Sequence, residues 1–347
     1  MPDSSRPLRK LGFLTIGLFN PQDPAAGHED TLQIIELGER LGFDSAWLRH
    51  RHLQYGISSP VAVMAAASQR TRRIQLGTAV TPLGWENPLR LAEDLATVDL
   101  LSGGRINPGV SVGTPMQYET LKDQLYPDSA AVEDFGKGRV ERFARFVAGE
   151  PVREFSGRDG IVEEHSARVE PHAPGLRERL WYGAGSLDSA RWAGSHGFHL
   201  LSSSVVFPEA GDPAPDFALV QQAQIRAYRE AAAAAGRTDG SARVSQGLVV
   251  IPTDSASAQQ ERRYREYVQA RTPRTASPQG PRGMLFARDL IGTSEQIAEE
   301  LYAHAGFREV DEVAFALPFS FGPEDYEQIL TDIATTLGPA LGWRPAG

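Results

Sequence analysis

Eight short apolar runs, each followed by a longer stretch with helical periodicity, alternate between Leu11 and Leu337, and nothing else in the sequence constrains the fold as strongly. The runs are residues 11–19 (LGFLTIGLF), 44–48, 73–80 (RIQLGTAV), 105–112, 180–183, 198–202, 243–251 (RVSQGLVVI) and 312–317. Their near-continuous apolar character is that of strands buried on both faces. The periodic stretches are 30–41, 60–68, 88–101, 132–148, 187–195, 215–235, 255–270 and 324–337, with one more at 294–305. This order predicts a parallel sheet with helical crossovers, and eight such units are the number that closes a barrel. The expected fold is α/β: a (β/α)8 TIM barrel with insertions in its βα loops, a single domain from residue 11 to 347. A doubly wound open sheet competes, but no break divides the chain into halves and no glycine-rich dinucleotide turn occurs. Residues 1–10 read as a flexible tail, 20–27 as loop, 113–130 as a long loop, and 150–179 as irregular sequence with a small β excursion.

Composition removes several function classes. The chain has no cysteine, which excludes a disulfide scaffold, a Cys–metal site, an iron–sulfur cluster and thiol catalysis, and fits a cytoplasmic protein. A net charge of −9 argues against nucleic acid, because binding phosphates over a surface needs clustered Lys and Arg. No apolar run approaches the roughly 18–20 residues of a membrane span. The polar N-terminus has no signal-peptide character, and no metal site is assigned from the sequence.

Several segments then follow one another in a telling order. They are Gly42-Phe43-Asp44-Ser45-Ala46-Trp47 at strand two and Leu76-Gly77-Thr78-Ala79-Val80 at strand three, the latter followed by Asn87-Pro88 and the stretch Leu91 to Asp99. Ser102-Gly103-Gly104-Arg105 enters strand four, Gly183-Ala184-Gly185-Ser186 leaves strand five, and Ile291-Gly292-Thr293-Ser294-Glu295 lies near the end. Each alone is weak; in this order and spacing they resemble the motifs of the bacterial luciferase family along nearly the whole chain. The resemblance implies a (β/α)8 barrel, usually dimeric, that uses FMN or, in one branch, the deazaflavin F420. It implies a flavin-dependent oxidoreductase, read as a monooxygenase acting with reduced FMN and oxygen on a small organic substrate. A separate flavin reductase would supply the reduced FMN, and the chain would form a homodimer. The alternatives are an F420-dependent hydride-transfer enzyme on the same barrel and a flavin-binding protein without catalysis.

The candidate chemistry sits at predicted strand ends, the face where barrel active sites lie. Arg49-His50-Arg51-His52 follows strand two, and two imidazoles with two guanidiniums form an acid/base and anion-binding group, unless the run is a solvated loop. Related enzymes carry Glu-His-His here. His50 takes the place of the Glu, Arg51 that of the first His, and only His52 keeps the residue type. Arginine does not shuttle protons near neutral pH, so the resemblance implies His52 as the proton-transfer group, His50 as an alternative and Arg51 as an electrostatic clamp. The missing acidic residue favours FMN over F420. Thr78, Ala79 and Val80 match the strand that bulges under the flavin ring in the family, which implies a cis peptide between Ala79 and Val80. Asn107 and Ser111 alternate along strand four and face either the mouth or the core. Gly183, Gly185 and Ser186 form a turn into a helix N-terminus, suited to a phosphate or serving only as an N-cap. Lys137 lies near where relatives place a phosphate contact, and Val112 stands where some carry an arginine for that purpose. Residues 271–288, rich in proline, arginine and glycine, resemble the family's mobile lid or are a surface insertion.

Overall fold

The computed structural model describes residues 7–211 and 215–345; residues 1–6 of the expected tail lie outside them. The first half of the chain forms β1 (Lys10–Thr15), α1 (Pro24–Arg40), β2 (Ser45–Leu48), α2 (Pro60–Arg70), β3 (Gln75–Thr78), β4 (Thr81–Pro82), α3 (Pro88–Ser102), β5 (Ile106–Asn107), β6 (Gly109–Ser111), α4 (Tyr118–Leu125) and α5 (Lys137–Ala148). A hairpin of β7 (Gly157–Asp159) and β8 (Glu163–His165) follows, then β9 (Trp181–Gly183), α6 (Leu187–Ser195), β10 (His199–Ser202), β11 (Val205–Val206) and α7 (Phe217–Ala234). The last part holds β12 (Val244–Gln246), β13 (Val250–Pro252), α8 (Ala258–Arg271), β14 (Leu285–Phe286), β15 (Leu290–Gly292), α9 (Ser294–Ala303), β16 (Glu312–Ala316) and α10 (Pro323–Asp332).

Ten segments make one sheet, in the order β4-β6-β9-β10-β12-β16-β1-β2-β3-β5, and every pairing in it is parallel. β3 and β4 are pieces of one run, parted at the cis peptide Ala79–Val80. β5 and β6 are likewise parted at Pro108, which has no N–H to donate to a ladder. β3 pairs with β5 and β4 with β6, so the same two runs stand at both ends of the order and the sheet curls round on itself. Thr78 fastens the two runs where they break: its hydroxyl donates to the Gly109 carbonyl at 2.7 Å and accepts from the Gly109 N–H at 3.0 Å. Gly109 is obligatory there, because a Cβ would lie 2.1 Å from the Thr78 carbonyl oxygen.

Alternate residues of each strand part to opposite faces. Leu11, Phe13, Ala46, Leu48, Leu76 and Val110 join the helices in the main core. Trp47, Trp181, Leu201 and Ala314 form a separate cluster on the other face, with Leu14, Ala79 and Val80 packed against it. The rings of Trp47 and Trp181 meet edge to face at 5.4 Å. Two of the resemblance motifs are thereby explained as construction. Asp44 accepts from the Leu11 N–H and the Trp343 indole, both at 2.8 Å. Arg105 is buried and donates to the carbonyls of Ser68, Thr71, Ile74 and Ser102, tying the ends of α2 and α3 to the sheet.

The structure departs from expectation in five places. α1 begins at Pro24, not residue 30, because Asp23 caps it (side chain to Ala26 N–H, 3.1 Å) and Pro24 sits where no donor is needed. The expected loop 113–130 contains α4. The helix expected from residue 132 starts at Lys137, since Asp134 folds back to accept from the Gly136 N–H. The seventh run is divided: β12 stays in the sheet, while β13 pairs with β15. Residues 7–10 are also tied down, with Leu8 buried and its N–H bonded to the Leu341 carbonyl at 2.9 Å. Among the described residues no helix is long and apolar enough to cross a membrane.

Gly77 is a tight point under the inner cluster, since a Cβ there would meet the Trp47 ring at 2.5 Å and the Asn107 carbonyl oxygen at 2.8 Å. Gly77→Ala is expected to destabilise the chain by about 1–3 kcal/mol, as overpacking does. The check is a lower urea midpoint with an unchanged denaturant slope.

Candidate functional site

β2 ends under the mouth of the curled sheet, and Arg49-His50-Arg51-His52 continues from it. The Arg49 N–H still bonds the Thr15 carbonyl, and the Arg51 N–H reaches Ile57, so the main chain of the cluster is fixed. His50 is buried, and neither ring nitrogen has a partner of hydrogen-bonding geometry. The His52 ring lies 4.5 Å from that of His50 and stacks on Trp85 at 4.0 Å, and its Nε2 is also buried without a partner. The third member is Glu86, whose Oε1 lies 3.7 Å from His50 Nε2.

Burial, then the neighbouring His52 and Arg51, push His50 down to about 4, against a weak favourable interaction of its protonated form with the Ser58 main chain. Burial lowers His52 as well. Burial, reinforced by Asp94 and opposed by Arg139, pushes Glu86 up to about 7. The His50–Glu86 pair is thus an ion pair by distance only. Near neutral pH the imidazole is uncharged and the carboxyl carries the proton for part of the time. Ligand atoms of His50, His52 and Glu86 all lie within 4.8 Å of one another, so the same trio could also hold a divalent transition-metal ion.

Trp85 and Glu86 sit on a short turn, Leu83–Trp85, which is held from α5. Buried Arg139 donates to the Leu83 and Glu86 carbonyls, each at 2.8 Å, and to the Tyr126 hydroxyl at 2.7 Å. Tyr126 in turn donates to the Gly84 carbonyl at 2.8 Å. Sequence reasoning passed over Trp85 and Glu86. The available signal was an aromatic and an acid directly after the third strand and before Asn87, which caps α3.

The other predicted residues fall into three places. Ala79 and Val80 lie at the inner cluster, and the peptide between them is cis, as the resemblance implied. Val80 packs over Gly183, where a Cβ would stand 2.8 Å from it. Thr78 is occupied with Gly109, and Ser111 is half-buried at the end of β6. Asn107 lies deeper, donating to Gln75 at 2.9 Å and accepting from the Trp181 indole at 3.2 Å, which is its core-facing role. Ser186 caps α6 through the Ser189 N–H, and Lys137 reaches the first turn of the same helix to bond Asp188 at 2.6 Å. The structure brings His50, Arg51 and His52 together with Trp85 and Glu86, and Lys137 near Ser186. It does not bring Asn107 to the mouth. Two open surface grooves, of about 620 and 380 Å3, lie along the β7–β8 hairpin and beside Trp192. Neither is lined by the His50–Glu86 cluster.

Two imidazoles and a carboxyl thus stand beyond the strand ends of a parallel α/β sheet. The family model described as luciferase-like monooxygenase matches residues 10–309; the chain belongs to that family. Limonene 1,2-monooxygenase of Rhodococcus erythropolis is 42% identical over 182 residues, 47% of this chain and 44% of that protein. An F420-dependent glucose-6-phosphate dehydrogenase of Amycolatopsis mediterranei is 33% identical over 125 residues, 34% of each chain. The matched stretches span only 26–54% of the length of these and other curated relatives. Among solved structures, a monooxygenase of Streptomyces bottropensis superposes with a TM-score of 0.71 at 21% identity, covering 95% of this chain and 99% of that one. That likeness is one of fold.

The raised carboxyl of Glu86 makes a prediction with a definite sign. The folded protein holds this proton more tightly than the unfolded chain, so the stability it lends is complete below pH about 4.5 and is lost as pH rises through about 7. Glu86→Gln should match the parent near pH 5 and exceed it by about 1–2 kcal/mol near pH 8, a figure reduced for the carboxyl's partial solvent contact. Chemical denaturation at both pH values is the check, and an equal difference at both contradicts it.

Proposed function

We propose that the chain is a flavin-dependent monooxygenase working with reduced FMN and oxygen on a small organic substrate, its sheet closed as an eight-unit (β/α)8 barrel. The closure reading treats each broken run as one strand, so that the two ends of the sheet coincide. The observation that carries the functional reading is the trio His50, His52 and Glu86. Buried His50 and half-buried His52, with both ring nitrogens of the first and Nε2 of the second lacking hydrogen-bond partners, stand beside a carboxyl that keeps its proton near neutrality and form a proton-transfer group awaiting a reactant.

The residues present fit a flavin phosphate and ring. Gly183, Gly185 and Ser186 would receive the phosphate at the start of α6, with Lys137 beside it. Ala79 and Val80, with Ser111, would wall the ring, while Thr78 and Asn107 hold the strand beneath. When bound, a reduced flavin supplies the electron pair for the reaction. His52 moves a proton at Nε2, held in its plane by stacking on Trp85. Neutral His50, close to both His52 and Glu86, passes the proton between them. Arg51, whose polar partner is the Met116 sulfur at 3.3 Å, clamps an anion. A separate reductase supplying reduced FMN, a homodimer and a cytoplasmic location complete the proposal.

One observation favours a second reading, an F420-dependent hydride-transfer enzyme: Glu86 supplies beside His50 the acidic group that residues 49–52 lack. Titration with FMN, riboflavin and F420, followed by absorbance, separates the readings. FMN is expected to bind about tenfold or more tightly than riboflavin and more tightly than F420. Equal riboflavin affinity removes the phosphate seat, and preferred F420 reverses the choice of cofactor.

His52→Ala is expected to lower kcat by about 10²–10⁴-fold with flavin affinity kept, whereas Arg51→Ala should raise KM or the flavin Kd. Near-parental kinetics in both variants would return the cluster to a solvated loop.

The segment 271–288 is anchored here by β14 pairing with β11 and by Arg271 on Asp289. We read it as a lid that excludes water from the reaction. Trypsin should cut at Arg282 and Arg288, both exposed, more slowly once reduced FMN and substrate are bound. Unchanged cutting rates would make the segment a plain insertion.

A further inference from the structure

Four guanidinium groups crowd the side of the mouth between β2, β16 and the 271–288 segment. Arg49 leaves the end of β2 and lies over the Phe319 ring at 5.2 Å; Arg271 covers the same ring at 5.0 Å and that of Tyr267 at 4.8 Å. Arg274 lies over Phe286 at 4.7 Å, and its buried Nε has no hydrogen-bond partner. Arg51, two residues further on, donates to the Met116 sulfur. Among the described residues these four pair with one carboxylate, buried Asp289, bonded to Arg271 and 3.6 Å from Arg274, and none pairs with Arg49. The chain as a whole is acidic, with a net charge of −9, so this local excess of positive charge runs against the composition around it.

The chemistry of the cluster says what would complete it. Like charges brought together in a partly desolvated place repel; burial and the nearness of Arg51, Arg271 and Arg274 push Arg49 down to about 10. A structure keeps such an arrangement at a cost unless an anion enters. Aromatic rings lie beneath Arg49, Arg271 and Arg274; Arg271 commits its N–H groups to Asp289, which leaves those of Arg49 and Arg274 as the recognition surface. In-plane N–H forks match the two oxygens of a carboxylate. Phe319, Phe286 and Tyr267 then offer an apolar floor to the organic body carrying that group.

We propose that Arg49, Arg274 and Arg51 form a seat for the carboxylate of an organic substrate at the barrel mouth. This rests on the mouth being the active site, and it names the substrate class: organic acids rather than neutral hydrocarbons, aldehydes or terpenes. Arg271 is the positioning residue, its charge taken up by Asp289. The flavin phosphate has a separate seat at the start of α6.

The test is calorimetric titration of the full chain with straight-chain carboxylates from acetate to decanoate and with the matching amides, in low salt, with and without FMN. Saturable binding of carboxylates and at least tenfold weaker binding of the amides is expected. Arg49→Gln and Arg274→Gln should each weaken carboxylate binding about tenfold, and Arg49→Lys should retain part of it. Arg288→Gln, on the exposed end of the segment, should leave it unchanged. Thermal melts of each variant confirm that the fold is kept, and the Arg274 variant stands in if the Arg49 variant does not fold. Equal affinity for acids and amides, no saturable binding across the series, or displacement of the acid by FMN and by inorganic phosphate alike would overturn the proposal. The last result would make the cluster the cofactor's phosphate seat. If carboxylates bind and neither FMN nor F420 does, the acid seat stands and the flavin reading falls.

Discussion

Trp47 and Trp181 pack inside the curled sheet, and the place of the candidate site follows from that packing. With two indoles, Leu201 and Ala314 packed there, the candidate site lies beyond them, where the strands end. The strands are parallel, so all their carboxyl ends share one rim, and residues distant in sequence meet there: His50 after β2, Glu86 after β4 and Phe319 after β16. Glycine at position 77 is what lets the first indole lie flat against its neighbouring strand. The packing is therefore as much a condition for the site as the polar residues that compose it.

The order of strands and helices is legible because apolar runs of strand length and periodic stretches leave strong, local marks. The breaks within strands are less so. Residues 73–80 and 105–112 read as unbroken, since a bend at Ala79–Val80 or Pro108 alters neither hydrophobicity nor length; for the first, the motif resemblance supplied what periodicity lacked. The division of 243–251 escaped notice because both pieces are buried, one in the main sheet and one beside β15. A helix beginning at Asp23-Pro24 was hidden by Gly27, a poor helix former that is there because a side chain would strike Phe19.

The site was half legible. His50, Arg51 and His52 are neighbours in sequence and could be read together, whereas Glu86 and Trp85 join them only through the fold. The departure from the Glu-His-His pattern at residues 50–52 removes the acid from that run. Space restores a carboxyl from another loop, with an inverted order of proton affinities: Glu86 keeps its proton to about 7, and His50 takes one only near 4. Asn107, open in the sequence between mouth and core, shows what alternation leaves undecided. Its alternation with Ser111 is real, but one step along a strand decides between the rim and the interior, and periodicity alone does not say where the rim begins.

The turn bearing Trp85 and Glu86 is gripped by Arg139 and Tyr126, which flank the stretch between α4 and α5. That stretch forms no part of the sheet. Its two ends, though, hold the turn by three carbonyls, those of Leu83, Gly84 and Glu86. A change in the length of that stretch would therefore reach Glu86 by way of one phenol and one guanidinium.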